Sequence, residues 1–116
     1  MKRPSSPPLG LSVRANKVIA APVAAVRAAW TDARRRSRWL AGVQITVRAV
    51  QAPGSIQLTC DDDGTDIAVR LAPCGRGQCA VTVHHTRLAN AQMVAERRHC
   101  WKEMLRGLQQ YLERPA

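Results

Sequence analysis

The stretch VTVHHTRLANAQMVAERRHCWKEMLRGLQQYLE, residues 81–113, joins a strand pattern to a long helical pattern. Val81, Val83 and His85 alternate with polar residues, as expected of a half-buried strand that ends at Leu88. Asn90 can cap a helix, and beyond it apolar residues recur three or four positions apart. This segment therefore predicts a long terminal helix packed on the sheet to which its own strand belongs.

The predicted buried face of that helix includes one charged residue. Its members, spaced three or four apart, are Val94, Arg98, Trp101, Leu105, Leu108 and Leu112. Burial of a guanidinium is costly unless an acceptor or water is within reach, so Arg98 should extend to the edge of the packing surface or point into a polar cavity. His85 should point toward the same helix from the inner face of the strand.

The chain before residue 81 carries four further strand patterns. They cover residues 11–20, with an irregularity expected near Asn16, and residues 43–49, 56–60 and 67–71. Asp63 and Gly64 predict a hairpin turn between the last two of these strands. The arrangement predicts an antiparallel sheet of about five strands.

Two short helices are predicted after the first strand. Pro22 suits the first turn of a helix that ends near Thr31. Asp32 suits the cap of a second helix running to about Leu40. The fold class is therefore α+β, with a helical pair after the first strand and a long helix at the C-terminus.

Length and composition indicate one domain. Residues 1–10, MKRPSSPPLG, are polar and rich in proline, which predicts a disordered tail before a single domain over residues 11–116. We find no secretory signal and no apolar run long enough to span a membrane. The four cysteines are therefore expected to be thiols in a cytoplasmic, reducing setting.

The formal net charge of +10 is spread over the chain, which argues against nucleic acid as the main partner. One cluster stands out, Arg34, Arg35, Arg36 and Arg38, at the start of the predicted second helix. Positive charge is unfavourable there because that end of a helix is itself positive. Either the acidic run at residues 61–63 or an external anion should offset it.

The order of these elements resembles the START-like (SRPBCC, helix-grip) superfamily, and within it the branch of heat-shock-protein-90 ATPase-activator homologues. The residues that carry the resemblance are Ala21-Pro22, Val26, Thr31-Asp32, Arg38-Trp39-Leu40, Asp63-Gly64, His85, Leu88, Trp101, Leu105 and Leu108. The resemblance implies a curved antiparallel sheet that grips the C-terminal helix, with a cavity between them for an apolar small molecule. The stretch between Leu40 and Val81 is short for this family, and Trp30 can fill space in such a cavity.

The candidate ligand-binding residues are Trp39, His85, Arg98, Trp101 and Leu105. A neutral imidazole facing the helix could hydrogen-bond a ligand. The competing interpretation is a structural His85 satisfied by backbone or water, with Trp39 and Trp101 as ordinary core residues.

No catalytic residues, cofactor or metal site are predicted. Cys74 and Cys79 flank a tight turn, but one loose pair lacks the second pair that structural zinc requires. A disulfide across this turn under oxidising conditions is the alternative. His84 should face outward and His99 lies off the buried face of the helix, so the histidines should not converge.

Three functions remain open from the sequence. The first is a non-enzymatic START-like module that binds a small apolar or amphipathic molecule between the sheet and the C-terminal helix. The second is a protein-interaction or co-chaperone-like module that docks acidic protein surfaces through the arginine cluster. Non-specific nucleic-acid binding is a minor third. The sequence leaves the oligomeric state open between monomer and homodimer.

Overall fold

The structure is a computed structural model and describes residues 11–40, 44–51 and 54–113. In chain order its elements are β1 (Leu11–Ile19), α1 (Val23–Thr31), α2 (Ala33–Trp39), β2 (Ile45–Gln51), β3 (Ser55–Cys60), β4 (Thr65–Gly75), β5 (Gln78–Leu88) and α3 (Ala91–Glu113). This confirms the predicted α+β class. The predicted disordered tail, residues 1–10, lies outside the described residues.

The strands form one curved antiparallel sheet in the order β1-β5-β4-β3-β2. Strands β2 to β5 form a meander because each pairs with the next in the chain, and β1 then adds to the far side of β5. His85 pairs with Val13 on one side and Ile67 on the other. The β5 strand therefore lies inside the sheet, and β1 forms one edge.

Local chemistry explains where the elements begin and turn. The Asp32 side chain accepts hydrogen bonds from two backbone N–H groups of α2, the nearer at 2.9 Å, and Asn90 accepts one from α3 at 2.9 Å. Gly64 has φ +72°, a left-handed conformation that favours glycine, and closes the turn between β3 and β4. Both predicted caps and the predicted turn are confirmed.

Two strand details differ from the predictions. The irregularity expected near Asn16 is absent there, and the register shift with β5 lies instead between Leu11 and Val13. Burial continues to alternate through Asn16, and the apolar pattern breaks because Lys17 takes an inward position while Val18 is 49% exposed. The β2 strand begins at Ile45, and Val43 lies outside the described residues.

The buried face of α3 consists of Trp101, Met104, Leu105 and Leu108. Arg98 is exposed and borders Leu105, which agrees with the first of its two predicted placements, at the edge of the packing surface. None of the described helices is long and apolar enough to cross a membrane.

Arg97, next to Arg98, is the arginine that turns toward the sheet. It lies four residues before Trp101, whereas Arg98 lies three before it, and both spacings fit one helical face. Arg97 is the one with an acceptor, because its Nη2 lies 2.7 Å from Oδ2 of Asp63 in the turn before β4. Helical periodicity alone does not show which of the two arginines faces the sheet, and the ion pair with Asp63 identifies Arg97.

Candidate functional site

His85 lies between the sheet and α3, with 1% of its surface exposed. Its Nδ1 accepts a hydrogen bond from Trp101 Nε1 at 3.0 Å, and its Nε2 lies 2.6 Å from Thr65 Oγ1. The prediction that His85 faces the helix is confirmed. Both ring nitrogens are occupied, as in the structural interpretation of this residue, but their partners are side chains and not the expected backbone or water.

The hydrogen bonds around His85 run in one direction. An indole N–H can only donate, so Nδ1 must accept and the ring proton must sit on Nε2. Nε2 then donates to Thr65 Oγ1, which in turn donates to Asp63 Oδ1 at 2.6 Å. The buried chain ends on a carboxylate, which suits the final acceptor because it carries the negative charge.

The Asp63 carboxylate is held in its charged form. Partial burial acts to raise its pKa, but hydrogen bonds from the Thr65 hydroxyl and backbone, and from Arg97, outweigh it and lower the pKa to about 2. Arg97 pairs with the second carboxylate oxygen, and the two side chains are 21% and 24% exposed. This half-buried ion pair forms the outer end of the series of hydrogen bonds that begins at the Trp101 indole.

His85 is held neutral. Burial lowers its pKa to about 4, and the positive charge of Arg97 acts in the same direction against the opposing influence of Asp63 and Asp66. A neutral imidazole is what the hydrogen-bond directions require, since a protonated Nδ1 could not accept from Trp101. The electrostatics and the geometry therefore agree.

Tryptophans fill much of the space between α1, α2 and α3. Trp30 and Trp39 meet edge to face with ring centroids 4.7 Å apart, and Trp30 and Trp101 lie 6.0 Å apart. Trp30 and Trp101 are 0% and 1% exposed. The Trp39 indole donates to Ala29 O at 3.1 Å, whereas the Trp30 indole N–H has no partner among the described residues. Trp30 and Trp101 therefore fill interior space beside α3.

The predicted lining residues do not come together at one site. His85 and Trp101 lie in the buried hydrogen-bond chain, and Trp39 borders a separate cleft between α2 and α3. Arg98 and Leu105 line a groove on the other flank of α3. Arg98 therefore does not face His85 across a shared pocket. Its neighbour Arg97 turns toward the sheet, and one position along a helix turns a side chain by about 100°.

The groove runs between β1 and α3 and has a volume of about 430 Å³. Its lining consists of Arg14, Ala15, Asn16, Lys17, Arg98, Lys102, Leu105 and Arg106. Leu105 is 2% exposed and forms apolar floor, while cations stand on both walls. The arrangement can hold a small molecule that is partly apolar and negatively charged.

Most residues of this groove were not predicted from the sequence. Arg98, Lys102 and Arg106 recur at four-residue spacing and so share one helical face, a signal present in the sequence. Arg14 and Lys17 are far away along the chain. They come beside that face only because β1 pairs with β5, which no local pattern indicates.

The arginine cluster at α2 is only partly available. Arg36 Nη1 donates to Trp30 O at 2.7 Å and so satisfies a carbonyl at the end of α1. Arg35 lies 3.5 Å from its own helix cap, Asp32. Arg34 and Arg38 are exposed.

The acidic run does not offset this cluster. Asp61 accepts from Thr46, and Asp63 from Thr65 and Arg97. The expectation that residues 61–63 neutralise the start of α2 is therefore not met for these two aspartates. Asp32 provides the compensation instead, as both cap and ion-pair partner.

The cysteines are free thiols. Cys79 is buried and Cys74 is exposed, with no disulfide between them. Burial raises the pKa of both Cys60 and Cys79. Within residues 11–40, 44–51 and 54–113, no group of three or more His, Cys, Asp or Glu side chains is placed to hold a metal ion.

Comparison with known proteins gives a family and a fold. The family model for activator of Hsp90 ATPase homolog 1-like proteins matches residues 41–113. The chain matches no curated protein in sequence.

Three solved structures illustrate the shared fold. CalU16 from Micromonospora echinospora is 19% identical with a TM-score of 0.76, covering 92% of this chain and 78% of CalU16. The Aha1 dimer from Colwellia psychrerythraea is 14% identical with a TM-score of 0.77, covering 90% and 97%. DynU16, a protein in the dynemicin biosynthetic locus, is 21% identical with a TM-score of 0.74, covering 89% and 47%. At these identities the likeness establishes the fold alone.

The depressed pKa of His85 makes stability depend on pH. Folded His85 has a pKa of about 4 against an ordinary 6.5, so between these values the unfolded chain binds more protons. Lowering the pH through this window should reduce the free energy of unfolding by about 3 kcal/mol through this residue. In urea titrations, His85→Gln should lose that part of the pH dependence. His84→Gln, the matched control, should keep it; equal slopes in the two variants would contradict the assignment.

The two adjacent arginines should differ in their effect on Asp63. Arg97→Gln should raise the pKa of Asp63 above its value of about 2, because one of the interactions that favour the carboxylate is lost. The Thr65 hydrogen bonds should still hold it below 3.8. Arg98→Gln should leave it unchanged. Carboxyl NMR titrations measure both, and a similar rise in both variants would refute the placement of Arg97.

Proposed function

The chain belongs to the family of activator of Hsp90 ATPase homologue 1-like proteins, and on that premise we propose that it is a non-enzymatic module that binds a small amphipathic anion. The ligand lies between the sheet and the C-terminal helix, in the groove between β1 and α3. The groove itself is the observation that supports this proposal. It combines the apolar surface of Leu105 with cations on both walls.

The position of the groove follows from how the interior is packed. START-like folds typically bind hydrophobic ligands between sheet and helix. Here Trp30 and Trp101 occupy that region, and His85 has no free ring nitrogen. The flank of α3 toward β1 remains open. Of the predicted lining residues, Arg98 and Leu105 are the two that border this open site.

The chemistry of the groove supports binding without catalysis. Its lining has no carboxylate, imidazole, hydroxyl or thiol, so the amines of Lys17 and Lys102 are the only groups in it of a kind that can serve as a general base or nucleophile. The histidine and aspartate with displaced pKa values, His85 and Asp63, are both engaged in the hydrogen-bond chain. Their pKa shifts accompany structural roles. The shared fold of DynU16, from a biosynthetic locus, is compatible with a small-molecule ligand.

Docking of an acidic protein surface through the α2 arginines is the second candidate function. Exposure of Arg34, Arg35 and Arg38 on one short helix favours it. Arg36 leaves the proposed surface because its guanidinium is bound to Trp30 O. Assembly as a dimer, seen for the Aha1 protein from Colwellia psychrerythraea, would present this surface twice.

The amphiphile proposal predicts a preference for charge and a defined location. Laurate, below its micellar concentration, should shift amide NMR signals of residues 14–17 and 98–106 and should bind more tightly than neutral dodecanol. Lys102→Gln should weaken laurate roughly three- to tenfold, because one charged contact is lost. Arg76→Gln, in the turn before β5, is the matched control. Shifts confined to residues around Trp30 and His85, or no binding, would refute the groove as the site.

The docking proposal predicts sensitivity to three arginines. Replacing Arg34, Arg35 and Arg38 with Gln should release the protein from a poly-glutamate column at lower salt, because screened charge pairs hold it there. The control, with Arg48, Arg70 and Arg76 changed to Gln, has the same net charge. Elution of both variants at the same salt concentration would show that only total charge matters.

A further inference from the structure

We infer that the anionic group recognised in the groove between β1 and α3 is a phosphate or pyrophosphate carried on a single apolar chain. This inference rests on the proposed function and specifies its ligand class. It depends on the arrangement of the cations, on the lack of acidic residues in the groove lining, and on the size of the groove.

The cations of the groove stand on two facing walls. Lys17 comes from β1, and Arg98, Lys102 and Arg106 come from α3. Arg14 also borders the groove, but strand alternation directs its side chain to the opposite face of the sheet from Lys17. The α3 residues follow one another at four-residue intervals, so they form a row along successive turns of the helix. An anion between the walls can be contacted from both sides.

The charge in the groove is poorly compensated. Like charges four residues apart destabilise a helix by about 0.2–0.5 kcal/mol per pair, and the α3 row contains two such pairs. The groove lining contains no acidic residue. Glu103 lies 3.8 Å from Arg106, but both side chains are more than half exposed and the pair is weak. One carboxylate would leave most of the four cations that face the groove uncompensated.

Phosphate fits this arrangement better than carboxylate. It carries about −1.5 to −2 charges at neutral pH and offers three strong acceptor oxygens, so it can bond to both walls at once. Two of the four cations that face the groove, Arg98 and Arg106, are arginines, whose planar guanidinium groups match phosphate oxygens in pairs. A carboxylate has two oxygens in one plane and a single charge.

The volume limits what accompanies the phosphate. A groove of about 430 Å³ lies toward the small end of ligand sites, which span roughly 300–1,000 Å³. Its apolar surface comes mainly from Ala15 and Leu105. This suits one phosphate with the first part of a single chain, and not a lipid with two chains.

The test compares soluble ligands that differ in head group. Dodecyl phosphate and laurate, both below their micellar concentrations, are titrated by calorimetry at neutral pH and low salt. Dodecyl phosphate should bind about tenfold or more tightly than laurate, since it gains charged hydrogen bonds. Inorganic pyrophosphate should compete with it, which shows that the head group is recognised. Equal affinity for dodecyl phosphate and laurate would overturn this inference while leaving the proposed function intact; failure of both to bind would reject both.

A pair of double variants assigns the preference to the groove. Lys17→Gln with Lys102→Gln removes one cation from each wall and should abolish the advantage of dodecyl phosphate over laurate. Arg70→Gln with Arg76→Gln removes the same charge elsewhere and should retain it. Equal losses in the two double variants would overturn the site. So would binding to phosphatidylglycerol vesicles without binding to monomeric dodecyl phosphate, because the partner would then be a membrane surface.

Discussion

The hydrogen bond from the Trp101 indole to His85 is the contact on which the rest of the interior depends. It joins α3 to the middle of the sheet in a region with almost no access to water. A polar group so placed is costly unless every donor finds an acceptor. Thr65 and Asp63 meet that requirement in turn, and Arg97 neutralises the final carboxylate. The helix, two strands and one turn are thereby linked through a single sequence of donors and acceptors.

The packing around this series of hydrogen bonds fills the interior, so the open groove lies at the edge of the protein. Trp30 and Trp39 pack from α1 and α2 toward the side of Trp101, so large side chains lie where a related fold can leave a cavity. The opening that remains is at the edge of the sheet, where β1 has a neighbour on only one side. Cations cluster at that edge because both β1 and α3 direct basic residues to it.

Much of the fold was accessible from the sequence because its signals are local. Caps at Asp32 and Asn90 and the turn at Gly64 are each determined by a few neighbouring atoms. The site was less accessible because its members are brought together by strand order. Helical spacing admits both Arg97 and Arg98, and only Asp63, more than thirty residues earlier, decides between them. Likewise, nothing local to Arg14 indicates that it will lie beside Lys102.

The indoles of this protein come one each from α1, α2 and α3, and the chain has one tyrosine and no phenylalanine. Near-ultraviolet circular dichroism reports fixed packing of aromatic rings. In most proteins that signal averages over many scattered residues. Here it arises almost wholly from one junction, where Trp30 contacts both of the other rings. The protein thus has a natural optical reporter for the docking of its helical pair against the C-terminal helix, separate from the amide signal of the sheet.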